Sequence, residues 1–458
     1  MNTTILEKIV QSKIEWIKKR KKKQPLNSIK HSIYTSNHSF KKTLISQKPF
    51  LILEIKKSSP SLGKIVNNFD IYTISRIYKK YATCVSVLTD EVFFSGKFEY
   101  IPIVKSIVNK PILCKDFFID TYQVYLSRFY QADAILLMLS ILNDQQFLLL
   151  YQLAKQLNMN VITEINNVDE LNRAIKLKSE IIGINNRNLH DLNIDINRTI
   201  KLAPLIPNNI IKISESGIKN YATLNKLKKI VDGFLIGSFI MKHKDHKEGI
   251  HKIIFGKNKI CGITRVKDAY NSKKIGAIFG GMIFVKKSQR KINLQIAKNI
   301  IDTINLKYVA VFQNEKIEKI VKIATTLKLY AIQLHGNENQ FYINALKEKI
   351  PYPLFIWKVI SIHDTIPKFY FDNIQYFLYD NQNGGTGTSF NWSLLTKKIY
   401  TNSILSGGIN ANNCQYAAQL GFDGLDLNSG VEIEPGIKSK KKIKNVFELI
   451  KINKKNIF

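Results

Sequence analysis

Short apolar runs alternate with helix-length segments from one end of this chain to the other, and that rhythm restricts the fold more than any other feature. In the first half the runs are FLILEI (50–55), CVSVLT (84–89), PILC (111–114) and AILLML (134–139), followed by NVITEI (160–165), EIIGIN (180–185), IIKIS (210–214) and DGFLIG (232–237). They are rich in Val, Ile and Leu and continuous rather than alternating, as in strands buried on both faces of a parallel sheet. Parallel neighbours need a crossover, and the gaps are long enough for a helix each. Eight such units predict a closed (β/α)8 barrel. The second half repeats the count with KICGI (259–263), AIFGGMIFV (277–285), KYVAVF (307–312), AIQLH (331–335), LFIWKVI (354–360), YFLYD (376–380), SILSGG (403–408) and DGLDLNS (423–429). The expected fold class is α/β: two consecutive (β/α)8 TIM barrels, the first with extra N-terminal helices. At 458 residues the chain has the length for two barrels. The domains read as 1–254 and 256–458, joined by a short polar link near 253–259. The residues before the first strand read as helices over the first barrel's mouth.

A second regularity ties the halves together. Within residues 213–238 and 405–430, a shift of 191 positions (408 − 217) matches Gly217 with Gly408, Ile218 with Ile409, Asp232 with Asp423, Gly233 with Gly424 and Ser238 with Ser429. Each copy reads as a strand ending in glycine, an amphipathic helix, an Asp-Gly turn, and a strand ending in a small hydroxyl residue. Small residues let backbone N–H groups approach an anion, so the pattern suits a phosphate cradle in each half.

Composition narrows the partners. The net charge of +34 invites a nucleic-acid reading, yet only eight of the 69 basic residues are arginine. The lysines are spread through the chain beside many Ile and Asn, whereas a nucleic-acid surface concentrates Arg and aromatic residues. No specific nucleic-acid partner is expected. No apolar run reaches membrane-spanning length, and the N-terminus lacks a secretory core, so no membrane partner is expected either. Cys84, Cys114, Cys261 and Cys414 lie far apart without a Cys-x-x-Cys pair, which fits a reducing cytoplasm and offers no zinc site. Two fused barrels need no partner to bury their cores, and a monomer is expected.

Barrel active sites lie at the C-terminal strand ends, and the first half crowds ionisable residues there. Glu54 and Lys56 are two apart on strand one and so share a face. Lys115 ends strand three and Glu164 strand five, Asn185 and Arg187 follow on strand six, Glu215 and Ser216 on strand seven, and Gly237 and Ser238 on strand eight. Acids, bases and an anion cradle at one mouth suit proton transfer on a phosphorylated sugar.

The motifs ILEIKKSSPS, SVLTDEVFFSG, ILCKDFFID, TEINN, GINNRNL, ISESGI and GFLIGS resemble, in order, those of indole-3-glycerol-phosphate synthase. The resemblance implies ring closure with loss of CO2 and water from carboxyphenylamino-deoxyribulose phosphate. It implies Lys115 as general acid, Glu164 as base or proton relay, and Glu54 and Lys56 in the later dehydration, Lys56 also lying near the phosphate. Asn185 and Arg187 would hold the anthranilate carboxylate, Ser59 and Glu215 would shape the pocket, and Ser216, Gly217, Gly237 and Ser238 would bind phosphate. A lysine acid calls for a pKa lowered by burial or by like charge, for which Lys56 and Arg187 are candidates.

In the second half KICGITR, IFGGMIFV, VFQN, QLHGNE, FLYDNQNGGTGTSFNW, LSGGIN and LDLNSGVEIEPGIKS resemble phosphoribosylanthranilate isomerase. The implied reaction is an Amadori rearrangement, with Asp380 as general acid and Cys261 as general base. The thiol would need an electropositive neighbourhood, for which Arg265 and Arg290 are candidates. Arg290 would also hold the anthranilate carboxylate. His335 reads equally as a substrate-orienting or a packing residue. Gly384, Gly385 and Gly387 are a weak signal alone. With Gly407, Gly408 and Ser429 they read as a phosphate site. Neither implied reaction needs a metal or organic cofactor, and the partners are the phosphorylated anthranilate-sugar substrates alone.

Overall fold

The structure, a computed structural model, describes residues 4–189, 191–381, 387–395 and 400–452. The chain divides into two compact units, each built around one barrel. In the first, strands Phe50–Ile55, Cys84–Leu88, Ile112–Lys115, Ala134–Met138, Asn160–Ile165, Ile181–Asn185, Ile211–Glu215 and Gly233–Ile236 pair in chain order and close, the last against the first. All pairs are parallel, with Ile52 opposite Cys84 on one side of strand one and Leu53 opposite Ile236 on the other. Ile52, Leu113, Leu136, Ile162, Ile213 and Leu235 belong to one buried apolar cluster. Several crossover helices start on a side chain that the sequence supplies for the purpose. Asp70, Asp120, Asn143 and Asn167 each accept a backbone N–H of the following helix, which satisfies donors the first turn leaves free.

The N-terminal helices do not all cover the mouth. Helix Ile5–Lys23, opened by a Thr4–Glu7 capping box, lies at the C-terminal strand ends, where Lys13 reaches Asp90 and Asp116 just beyond strands two and three. Helix Phe40–Ile45 lies at the opposite end. The Lys41 backbone N–H donates to Asn160 Oδ1 and its ammonium pairs with Glu180 at 2.9 Å, both at the starts of strands five and six. Phe40 and Leu44 are fully buried there.

In the second unit Lys259–Ile260, Phe279–Ile283, Lys307–Phe312, Ala331–Leu334, Phe355–Ile362, Ile374–Asn381, Tyr400–Leu405 and Phe422–Leu427 form the second closed barrel, again in chain order. Three expectations need correction here. Strand one stops at Ile260, because Gly262 turns to a φ of +69°. No helix links strands five and six; residues 363–373 contain Pro367, and Phe369 packs edge to face or tilted on Tyr379 and Phe377 where a helix would lie. The stretch 253–259 is no exposed polar link, since Ile253, Ile254, Phe255, Asn258 and Lys259 are all buried.

The repeated segments keep their glycine geometry but not the expected turns. Gly217 and Gly408 both have positive φ, +80° and +63°. Gly233 opens strand eight of the first barrel, whereas Gly424 lies inside the matching strand of the second. A Cβ would strike the Phe50 ring at Gly233 and the Lys257 backbone at Gly424. Packing, not a turn, calls for these two glycines.

Candidate active sites

The first barrel's mouth holds a cavity of about 660 Å3. Because side chains alternate along a strand, the polar ends of strands one, three, five, six and seven all face into it. The Lys56 ammonium lies 2.6 Å from Glu54 Oε1. Lys115 stands among carboxylates, 3.5 Å from Glu164 Oε2 and 3.7 Å from Glu215 Oε2. Asn185 Nδ2 donates to Glu164 Oε1 at 3.1 Å, while its own Oδ1 accepts the Arg187 N–H at 3.0 Å. Gly183 and Gly237 give the acids room, since a Cβ there would collide with Glu215 and Glu54 respectively. Ser59, Arg187, Ser216, Gly217 and Ser238 line the same space, so all the residues expected in this site meet there.

The electrostatics correct one expectation. Burial opposes the charge on Lys115, but Glu164, Glu215 and Glu54 outweigh it and raise its pKa, rather than lowering it as Lys56 and Arg187 would. Burial likewise opposes the Glu54 charge, but Lys56 and Lys115 overcome it and hold its pKa below the usual value. Glu215 goes the other way. Burial pushes it up to about 8 against the pull of Lys115, and the charges of Glu164 and Glu54 add to the rise. Glu215 thus retains its proton near neutrality beside the Lys115 ammonium, while Glu54, held by Lys56, stays ionised.

The second cavity, about 370 Å3, is smaller and brings together Cys261, Arg290, His335, Asp380, Gly387, Gly407, Gly408 and Ser429. Asp380 Oδ2 accepts Ser406 Oγ–H at 3.1 Å and lies 3.8 Å from His335 Nε2; its Oδ1 accepts the Asn381 N–H at 2.8 Å. Burial pushes the Asp380 carboxyl up, His335 pulls it back and Asp426 adds to the rise. Burial pushes the His335 imidazole down, against the attraction of Asp380. His335 is therefore placed against the acid rather than in the core. At Gly408 a Cβ would lie 2.6 Å from Ser389 N and Thr388 C, and at Gly387 one would lie 3.2 Å from Ser429 Oγ. The glycines therefore let three segments meet closely at one end of the cavity. Gly384 and Gly385 lie outside the described residues.

Cys261 has different neighbours from those expected. Arg265 turns away to a two-point bond with Asp268, both contacts at 2.9 Å, and does not line the cavity. Arg290 lines it, with its guanidinium gripping Glu432 at 2.9–3.0 Å. The cations acting on the thiol are Lys259 and Lys438. Burial pushes the thiol pKa up and these two lysines recover only part of the rise.

Family models match both halves: indole-3-glycerol phosphate synthase over residues 6–253 and N-(5'phosphoribosyl)anthranilate isomerase over residues 258–449. Tryptophan biosynthesis protein TrpCF of Buchnera aphidicola subsp. Acyrthosiphon pisum is 54% identical over 98% of this chain and 100% of its own length. The protein of that name from Yersinia pestis is 45% identical over 98% of this chain and 94% of its own. The chain belongs to the bifunctional synthase–isomerase family. The synthase barrel is N-terminal and the isomerase barrel C-terminal; the enzyme is both a decarboxylating lyase and an isomerase of tryptophan biosynthesis. Among the described residues no helix is long and apolar enough to cross a membrane.

Several residues of these sites escaped the sequence reading. Asn186 in the synthase is fully buried and donates to the carbonyls of Glu215 and Ser216 at 2.9 and 3.1 Å, fixing the turn before Gly217. Its neighbour Asn185, which ends strand six, is the one that lines the cavity. In the isomerase, Lys259 and Asp426 form a buried pair at 2.6 Å, and Glu432 joins Arg290 to Lys438. The one available signal was spacing. Lys259 stands two before Cys261, as Glu54 stands two before Lys56.

Proposed function

We propose that the two cavities carry the two reactions through the following residues. In the synthase Lys115 protonates the sugar carbonyl as the anilino ring attacks it, and Glu164, within reach of Lys115 and Asn185, relays protons. Glu54 and Lys56 serve the dehydration, with Lys56 also near the phosphate. Asn185 and Arg187 hold the anthranilate carboxylate, Ser59 and Glu215 shape the pocket, and Ser216, Gly217, Gly237 and Ser238 take the phosphate. The observation that carries this reading is the position of Lys115 between Glu164 and Glu215. Its raised pKa suits an acid that holds its proton until the carbonyl oxygen becomes strongly basic in the transition state.

In the isomerase Asp380 protonates the ribose ring oxygen, and Cys261 takes the proton from the second sugar carbon. A buried carboxyl with a raised pKa is supported as a donor by its surroundings. His335 orients Asp380 and substrate, Arg290 holds the anthranilate carboxylate, and Gly385, Gly387, Gly407, Gly408 and Ser429 cradle the phosphate. The isomerase product is the synthase substrate. Residues 1–254 constitute the synthase and 256–458 the isomerase, a division supported by the limits of the two family matches. The reading includes a monomer working in the cytoplasm on free phosphorylated substrates. Asp380→Asn tests the isomerase half. Isomerase turnover falls by at least about a hundredfold while the synthase, assayed with its own substrate, is unchanged; equal loss of both would refute the assignment.

A further inference from the structure

The floor of the isomerase cavity contains an ion pair that the roles above leave unused. Lys259 and Asp426 are direct partners on strands one and eight of the barrel, with Nζ 2.6 Å from Oδ2. Lys259 is completely buried. Asp426 is 6% exposed, its Oδ1 has no hydrogen-bond partner, and it lines the cavity beside Cys261 and Asp380. Exchanging a buried ion pair for well-packed apolar residues is often neutral or stabilising. Elsewhere this barrel fills its interior with apolar contacts such as Phe279 on Trp357 and Tyr376. The pair therefore calls for a reason other than stability.

Its position supplies one. Lys259 on strand one and Cys261 just beyond its end both turn into the space left by Gly281 on strand two. A Cβ on Gly281 would lie 2.8 Å from Cys261 Sγ and 2.8 Å from Lys259 Cε. The other charged groups around the thiol are committed or distant. Lys438 binds Glu432 at 2.7 Å and Asn428 Oδ1 at 2.8 Å, Arg290 grips Glu432, and Asp380 and His335 pair with each other across the cavity. On the side of strands two and three the thiol packs against Ile283, Val285 and Val311.

We propose that Lys259 is a positioning residue of the isomerase: its ammonium, aimed by Asp426, is the counter-charge that lets the Cys261 thiol ionise beside the substrate. The inference rests on the reading of Cys261 as the base. A thiolate in an apolar recess needs an adjacent cation that water cannot screen. Asp426 competes with the thiolate for that cation, so the two members of the pair act on the thiol with opposite sign.

The full-length chain carries the test, with isomerase kcat and KM measured from about pH 6 to pH 10 and the synthase as control. Lys259→Met/Asp426→Leu removes the pair without leaving a buried charge. Its acid limb of kcat moves up by at least about one pH unit, turnover at neutral pH falls about tenfold and recovers at high pH, and KM changes less than about threefold. Asp426→Asn, nearly isosteric and less exposed to folding failure, moves the limb down, because the ammonium then serves the thiol alone. An unshifted limb in either variant, a uniform fall at every pH, or an upward shift in Asp426→Asn would overturn the proposal. Isomerase activity surviving in Cys261→Ala would instead bring down the base assignment beneath it.

Discussion

Replacing Lys13 by methionine is expected to cost the synthase barrel a large part of its stability. The Lys13 ammonium lies 2.7 Å from Asp90 Oδ2 and 2.7 Å from Asp116 Oδ1, and all three side chains are almost wholly buried. Burial opposes its charge, but Asp116 and Asp90 outweigh it and raise the pKa above the ordinary 10.5. The sign follows: the stabilisation is complete below that value, including at neutral pH, and is lost only as pH rises through the higher folded value. Methionine fills the volume but leaves two buried like charges facing one gap. Breaking a buried pair costs about 3–5 kcal/mol. Here Asp90 keeps the backbone N–H of Phe93 and Phe94, and Asp116 keeps Phe117 N–H and Thr89 Oγ–H. Those bonds place the cost near the lower limit, about 3 kcal/mol. At roughly 2–4 °C per kcal/mol for a domain of this size, the midpoint falls by about 6–12 °C. Scanning calorimetry measures it, with the transition assigned by loss of synthase activity. Adding Asp116→Asn to Lys13→Met, which removes one of the two like charges, restores part of the loss. A midpoint within about 2 °C of the parent would refute the reasoning.

Three further outcomes follow from the same geometry. Gly408→Ala places a methyl group 2.6 Å from Ser389 N at a φ of +63°, so the isomerase KM rises at least about tenfold with synthase kinetics untouched; an unchanged KM would exclude this turn from the phosphate cradle. Glu215 carries a folded pKa of about 8 against 4.5 as the reference, so its contribution to stability is present below 4.5 and is lost as pH rises towards 8. Glu215→Gln should therefore flatten the fall in the synthase barrel's thermal midpoint between these pH values, and an equally steep fall in the variant would contradict the assignment. Arg290→Lys cannot keep the two-point grip on Glu432; the isomerase KM should rise about tenfold or more, and unaltered kinetics would show that this arginine does not meet the substrate.

The barrels were legible because their strands are buried on both faces. Continuous runs such as Phe50–Ile55 and Lys307–Phe312 leave no alternative period. Glu54 and Lys56 were legible as a pair because alternation along one strand is a local rule. Contacts made across the closed sheet were not. Nothing near Lys13 marks Asp90 and Asp116 as its partners, and Asp426 meets Lys259 only because strand eight closes on strand one. Arg265 was misread for a related reason. It is close to Cys261 in sequence, yet it sits where helix Val266–Ile275 begins and bonds Asp268 within that first turn. The Lys115 expectation failed because it weighed the cations and not the three acids folded around them. Geometry imposed by glycine was read correctly in place but not in cause, since Gly424 serves packing inside a strand.

The central claim is that one chain holds two separate sites for consecutive reactions, centred on Lys115 and on Cys261 with Asp380. Mixing two crippled proteins tests it most directly. Lys115→Ala and Cys261→Ala are each supplied with phosphoribosylanthranilate, singly and at equal amounts together, and indoleglycerol phosphate is measured. Each variant alone should yield almost none, and the mixture should yield it at a rate close to half that of the same total amount of parent protein. An inactive mixture, or either variant completing the conversion unaided, would contradict the account.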